Sequence, residues 1–345
     1  MELKVRRQTE ICGIGSMHTE QAAKYNLLLM RILLVKTSSL GDVIHNLPVA
    51  SDIRRRFPEA EIDWVVEESF AEIPRLHPAV RRVLPVAVRR WRKAPLSPET
   101  WREIGGYRRA AGADFYDAVI DTQGLLKSAL LAKAARGTRY GHGNPREPLA
   151  AHFYDRTFGI ARGQNAVLRN RQLAAAALGY ALDELPLDYG LAAEPLAAGW
   201  LHAGDYAVLL TATSRADKEW PEDDWHALGT AFNATGLRCV LPGGSPAERE
   251  RAARIATKLG RAVAAPPMNL TDLAGLMAGA RLVVGVDTGL VHLAAALRRP
   301  TLALYCGSDP ALTGVLGTAP HANLGGIGAP PTAAETVRVA LELLG

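Results

Sequence analysis

The groups in this chain best suited to hold a phosphorylated ligand are a lysine, two neighbouring hydroxyls and a helix start. The polar stretch from Thr211 to Trp225 carries Thr213 and Ser214, followed by Lys218. Two hydroxyl donors and a full positive charge suit a diphosphate. Further along, Val286-Asp287-Thr288-Gly289 ends an apolar run where a helical pattern begins. Free backbone N–H groups and the positive helix end favour an anion there. The dipole contributes only about 0.3 to 1 kcal/mol, so a phosphate needs further donors. His292 lies on the same face of the first turn as Thr288 and Gly289. Plain capping by Asp287 or Thr288, and a structural role for His292, compete with these readings.

Two more turns carry usable groups. Pro242-Gly243-Gly244-Ser245-Pro246 follows an apolar run, and Glu248 in the next helical turn is placed to accept hydrogen bonds from ribose hydroxyls. Glu248 is equally readable as an ordinary first-turn acid. Near the start, Lys36-Thr37-Ser38-Ser39-Leu40-Gly41-Asp42 joins a strand pattern to a helix pattern. A carboxylate at Asp42 is suited to take a proton from an incoming hydroxyl, and the alternative is an N-cap. The order of residues is not that of a P-loop. Trp220 and Trp225 read as packing residues of the following helix.

Charge is clustered. Between Arg75 and Pro98 there are seven basic residues and no acidic one, densest at Arg89-Arg90-Trp91-Arg92-Lys93. This suits an anionic ligand with an apolar portion. Nucleic acid is the competing partner, weakened because the rest of the chain is near neutral and carries no nucleic-acid motif. Gly13-Ile14-Gly15 follows no strand, so it is not a dinucleotide fingerprint. No D-x-D pair occurs, which removes a common metal–diphosphate signature and predicts no metal site. Lysine, hydroxyls and a helix end must then neutralise a diphosphate leaving group. Cys12, Cys239 and Cys306 are widely spaced, so neither a disulfide framework nor zinc is expected and a reducing cytoplasm is the simplest home.

These groups need a scaffold. The 345 residues are 48% hydrophobic and 22% charged, with net charge +5, a globular composition of a length that favours two domains. From Arg31 onward short apolar runs alternate with helical stretches. Strands are expected at Ile32 to Lys36, Ile62 to Val66 and Ala118 to Asp121, with a helix from Val43 to Phe57. A proline- and glycine-containing linker follows at 186–204. A second alternating series of about five strands begins at Ala207, and Ala333 to Leu344 reads as a final amphipathic helix. The expected organisation is a domain over 30–185, the linker, a second domain over 205–330 and the terminal helix over 331–345. Such alternation predicts doubly wound α/β units that bind ligands outside the carboxyl ends of their strands. The first 29 residues read as a disordered extension preceding a start at Met30; they lack a signal peptide's apolar core, and no run is long enough to span a membrane.

Taken in order, several segments resemble lipopolysaccharide heptosyltransferase I of glycosyltransferase family 9. They are Met30 to Asp42, Asp63 to Glu68, Arg89 to Lys93, Asp121 to Gly124, Arg146 to Ala150, Asp217-Lys218, and Val286 to Gly289 with His292. The Arg89 to Lys93 and Arg146 to Ala150 segments favour type I over the related type II enzymes. The resemblance implies a GT-B fold, two Rossmann-like domains facing across a cleft, and inverting transfer of heptose. ADP-heptose is the implied donor substrate, with no cofactor and no metal. The implied acceptor is the Kdo region of Kdo2-lipid A, met by a peripheral enzyme at the cytoplasmic face of the inner membrane. The first domain would bind acceptor and the second donor. By position, Asp42 resembles the catalytic base, and Lys218, Thr288 and Gly289 resemble diphosphate contacts beside Thr213 and Ser214. Glu248 resembles a ribose contact and Met268 an adenine-side contact. Asp287 and His292 would meet the donor sugar or its phosphate, and Arg89, Arg90, Arg92, Lys93 and Arg146 the acceptor's anionic groups. The rival readings are a type II enzyme, another GT-B sugar-nucleotide enzyme such as an epimerase, and a non-catalytic nucleotide-sugar-binding protein.

Overall fold

The computed structural model describes residues 30–345 apart from His202 and Ser214. The expected N-terminal extension, Cys12 and the Ser214 hydroxyl therefore lie outside the described residues. Two six-stranded sheets are built in succession. The first contains β1 (Arg31–Val35), β2 (Glu61–Glu67), β3 (Val80–Val86), β4 (Phe115–Asp121), β5 (Arg136–His142) and β6 (Arg156–Phe158). The second contains β7 (Tyr206–Leu210), β8 (Arg238–Leu241), β9 (Ala262–Ala264), β10 (Leu282–Val286), β11 (Thr301–Tyr305) and β12 (His321–Gly325).

Their orders are β3-β2-β1-β4-β5-β6 and β12-β11-β10-β7-β8-β9, with parallel pairing. Each is the doubly wound Rossmann arrangement, whose strand order reverses at the centre. The reversals fall between β1 and β4, where Val35 pairs with Asp121, and between β7 and β10, where Leu210 pairs with Gly285. Turns leaving these four strands therefore open into the two ligand crevices.

The central strands are continuous apolar runs because helices cover both faces of a parallel sheet. Every residue of β7, β10 and β11 is buried. Trp220 and Trp225 pack edge to face beneath the second sheet with ring centroids 5.0 Å apart, as packing residues should. The Ala333–Leu344 helix packs on the Glu222–Ala234 helix and the second sheet, so it forms part of that lobe.

Several local expectations need correction. The single helix expected from Val43 to Phe57 is two, Leu40–Ile44 and Leu47–Arg56. Pro48 lacks an N–H and is accommodated in the first turn, so it begins a new helix rather than extending the old one. Strands β3, β5, β6 and β12 carry too much polar sequence to signal as strands. In β3 the cause is visible: Arg81 and Arg82 both donate to the fully buried Asp63, and Tyr116 Oη donates to Asp63 Oδ2 at 2.7 Å. Burial would raise the Asp63 carboxyl, but bonds from Arg81, Tyr116 and Arg82 outweigh it and hold it below its ordinary value. Part of the basic cluster thus stabilises the sheet edge.

Candidate active site between the two lobes

On the second lobe, the turns after β7 and β10 meet. Lys218 Nζ donates to Asp287 Oδ2 at 2.5 Å, Ser308 Oγ donates to the same oxygen at 2.5 Å, and Thr213 Oγ1 donates to the Asp287 carbonyl at 3.1 Å. His292 Nε2 stands 3.8 Å from Asp287 Oδ1, beyond hydrogen-bond reach. Burial would raise the Asp287 carboxyl; His292, Lys218 and Ser308 reverse this and hold it well below the usual carboxylate range. Asp287 is thus a fixed anion that orients Lys218. Thr288 is the N-cap residue of the Gly289–Ala296 helix but makes no side-chain cap bond, which leaves its hydroxyl available.

A cavity of about 520 Å³ lies beside this cluster. Thr213, Glu248, Met268 and Thr288 line it together with Leu40, Phe70 and Glu72 of the first lobe. One Glu248 oxygen caps its helix, accepting from the Gly244 and Ser245 amides at 2.8 and 3.1 Å. The first-turn reading of Glu248 is therefore correct as far as that oxygen goes, and the residue still faces the cavity. The size, apolar walls and few polar groups suit a nucleoside.

On the first lobe, Asp42 occupies the third position of the Leu40–Ile44 helix, and Ser39 is its N-cap residue. The N-cap alternative for Asp42 is corrected accordingly. Asp42 Oδ2 accepts from Ser39 N at 2.8 Å and Ser39 Oγ at 3.1 Å, which fixes the carboxylate while leaving Oδ1 without a partner among the described residues. Gln123, from the turn after β4, clamps the loop: its Oε1 accepts from Thr37 N at 2.9 Å and Ser38 N at 3.2 Å. Lys127 Nζ donates to Ser38 Oγ at 2.8 Å.

A smaller cleft joins Asp42 to Lys36, Arg146, Arg162 and Arg169. Burial pulls Lys36, Lys127 and Arg169 below their ordinary pKa values, as expected of crowded cations that an anion would relieve. Of the basic residues expected to contact the acceptor, Arg146 lines this cleft. Arg89, Arg90, Arg92 and Lys93 do not. Arg90 is held by Glu68 and Glu103, each at 3.0 Å, and Arg89 lies over the Phe70 ring at 5.2 Å. Arg92 and Lys93 are exposed. Trp91, expected to meet an apolar part of the ligand, is largely buried and donates to Glu103 at 2.6 Å. Lys36 lay in a motif already singled out. Arg162 and Arg169 carried no sequence signal, because only the fold brings them to Asp42.

The lobes touch where the two sites meet. A methyl group on Gly289 would sit 2.7 Å from Leu40 Cβ, and one on Gly41 would sit 3.4 Å from His292 Cδ2. His45 packs edge-on against His292 with ring centroids 4.3 Å apart. Burial, with His292 and Lys36 nearby, drives the His45 ring well below its usual pKa. Elsewhere along the seam Glu72 Oε2 accepts from Thr271 N at 2.8 Å. Among the described residues, no group of three or more His, Cys, Asp or Glu side chains is placed to hold a metal ion.

Comparison with known proteins agrees with this architecture. The sequence pattern of glycosyltransferase family 9 (heptosyltransferase) matches residues 105–339. Lipopolysaccharide heptosyltransferase 1 of Escherichia coli (strain K12) is 48% identical over 291 residues, 84% of this chain and 91% of that protein. The solved structure of E. coli heptosyltransferase WaaC with ADP aligns with a TM-score of 0.84 and 44% identity, covering 91% of this chain and 100% of that one. The structure of WaaC with ADP-2-deoxy-2-fluoro heptose aligns at 0.79, covering 91% and 98%. Two doubly wound lobes meeting across a cleft are the GT-B arrangement, and the chain belongs to glycosyltransferase family 9, the heptosyltransferases.

Proposed function

We propose that this chain transfers heptose from ADP-heptose to the Kdo region of Kdo2-lipid A in one inverting displacement, at the cytoplasmic face of the inner membrane. The second lobe holds the donor and the first holds the acceptor. Lys218, Thr213 and the amide end at Thr288 and Gly289 carry the diphosphate, with Ser214 in the same loop. Glu248 and Met268 face the nucleoside. Asp287 orients Lys218, and His292 meets the donor sugar. Arg146, Arg162, Arg169 and Lys36 receive the acceptor's carboxylates and phosphates, and Arg89, Arg90, Arg92 and Lys93 guide it from outside the cleft.

In the step itself, Asp42 takes the proton of the acceptor hydroxyl as that oxygen bonds the anomeric carbon. The carbon–oxygen bond to ADP breaks on the opposite face, and ADP departs with the electron pair. Charge grows on the diphosphate during this step, so Lys218 and the helix end act mainly on the transition state. The observation supporting this reading best is that the turn bearing Gly41-Asp42 packs against the helix start at Thr288-Gly289, beside the Lys218–Asp287 pair.

Product analysis with and without Kdo2-lipid A tests it. The expected result is heptosylated acceptor and ADP in equal amounts, with little ADP when acceptor is absent. Donor conversion without acceptor would indicate an epimerase-type enzyme, and bound donor with no ADP release a binding protein.

A further inference from the structure

A second surface on the first lobe is built for a different contact. Nine large hydrophobic side chains are exposed among the described residues, and four of them, Leu96, Trp101, Leu130 and Leu149, sit on neighbouring elements. Leu96 is 91% exposed, Trp101 63% and Leu130 51%. Trp101 lies on the Pro98–Gly112 helix, one turn before Ile104 and two before Arg108, and so shares their face. Leu130 lies on the Leu126–Lys133 helix, which packs against the short 148–153 helix that carries Leu149. Between the first two helices runs an apolar groove of about 480 Å³, walled by Trp91, Ile104, Tyr107, Leu130 and Leu131.

Charge identifies what covers this surface. Arg108, Lys127 and Lys133 rim the groove, and exposed Arg92, Lys93 and Arg102 stand on the adjoining loop and helix. Of the nearby acids, Glu103 is occupied by Trp91 and Arg90 and Glu147 by the Leu126 amide, which leaves exposed Glu99 against these six cations. A protein partner's interface core is ordinarily depleted of charge, whereas apolar and aromatic tips among unpaired cations match the interface of an anionic bilayer. Lys127 ties this groove to the acceptor side of the lobe: it lines the groove while its Nζ donates to Ser38 Oγ in the turn bearing Asp42.

We infer that Leu96, Trp101 and Leu130, with the surrounding cations, dock this chain on an anionic phospholipid surface and set Asp42 at the depth of a lipid-anchored acceptor's sugar. The docking depends on the acceptor reading above for its purpose, but its test does not. Full-length protein is floated with vesicles of equal parts phosphatidylglycerol and phosphatidylcholine, and with phosphatidylcholine alone, at low and high salt. Wild type is expected to bind the anionic vesicles, more weakly at high salt. Leu96→Ser/Trp101→Ser/Leu130→Ser should partition at least about tenfold more weakly. Its ADP release with a lipid-free Kdo acceptor should stay within about twofold of wild type, and Leu96→Ser/Trp101→Phe/Leu130→Ser, which keeps an aromatic ring at 101, should bind more tightly than the triple-serine variant.

Equal vesicle binding by the triple variant, or no binding by wild type, would overturn the docking. So would wild-type dimers that dissociate in the variant, which would make the face a self-association surface. Failure of wild type to use the lipid-free acceptor would count against the proposed function and leave the vesicle result standing.

Discussion

Gly289 and Gly41 face each other across the seam between the lobes, so closely that a methyl group on Gly289 would sit 2.8 Å from the Gly41 backbone nitrogen. One residue beyond Gly41 is Asp42, and two before Gly289 is Asp287. The contact, which the Leu40 side chain shares, therefore sets the separation of the carboxylate and the lysine-bearing cluster. Glycine is needed there for close approach, since neither residue has a positive φ.

Gly289→Ala should force the lobes apart. Overpacking costs about 1–3 kcal/mol, which a protein with two large cores tolerates. The turnover number should fall roughly 100-fold because reacting groups lose alignment, while ADP affinity, which rests mostly on the second lobe with only part of the cavity wall from the first, should fall less. Stopped-assay kinetics beside ADP titration check this; equal losses in both would place the defect inside the donor site.

Removing the lysine from the Lys218–Asp287 pair should do two separable things. Lys218→Met leaves a buried carboxylate without its cation, costing roughly 3 kcal/mol of stability. It also removes charge from the departing diphosphate. Adding Asp287→Asn should recover much of the urea midpoint but little of the turnover. Recovery of both would show that the pair serves folding alone.

The sequence made the inner strands and their exit turns legible because parallel strands covered on both faces must be apolar, as in Leu282 to Val286, and the polar turns between them stand out. Asp42, Thr213, Lys218 and Asp287 all follow such strands closely, which is why these candidate residues stand out in the sequence alone. Edge elements were not. Arg81 and Arg82 look like free charge until Asp63 is seen beneath them, and β12 is too polar to announce itself. Arg162 and Arg169 reach Asp42 from segments distant in the chain, so no spacing rule could find them. Trp91, between basic residues, suggested ligand contact because sequence does not report which way a side chain points.

Acid should weaken the first lobe through His77. This ring accepts from Ala79 N through Nδ1 at 3.1 Å, so Nε2 carries the proton that faces Ser51 Oγ at 3.0 Å. Burial lowers its pKa from 6.5 to about 4, despite the nearby Asp188. Between pH 6.5 and about 4 the unfolded chain binds a proton that the folded chain refuses, so stability present above 6.5 is lost as pH falls, by up to roughly 3 kcal/mol. Urea midpoints should drop between pH 7 and 5, and less steeply in His77→Asn, whose amide oxygen can take over the Nδ1 bond. An unchanged slope would remove His77 as the cause.

Whether one carboxylate on the first lobe acts on a sugar held by the second is most directly measured in Asp42→Asn. The amide oxygen can still accept from Ser39, so circular dichroism and calorimetric binding of ADP-heptose should match wild type. Acceptor-dependent ADP release should fall about 100- to 10,000-fold, the range for a lost general base. Turnover within a few-fold of wild type, by a variant that folds and binds donor normally, would contradict the account.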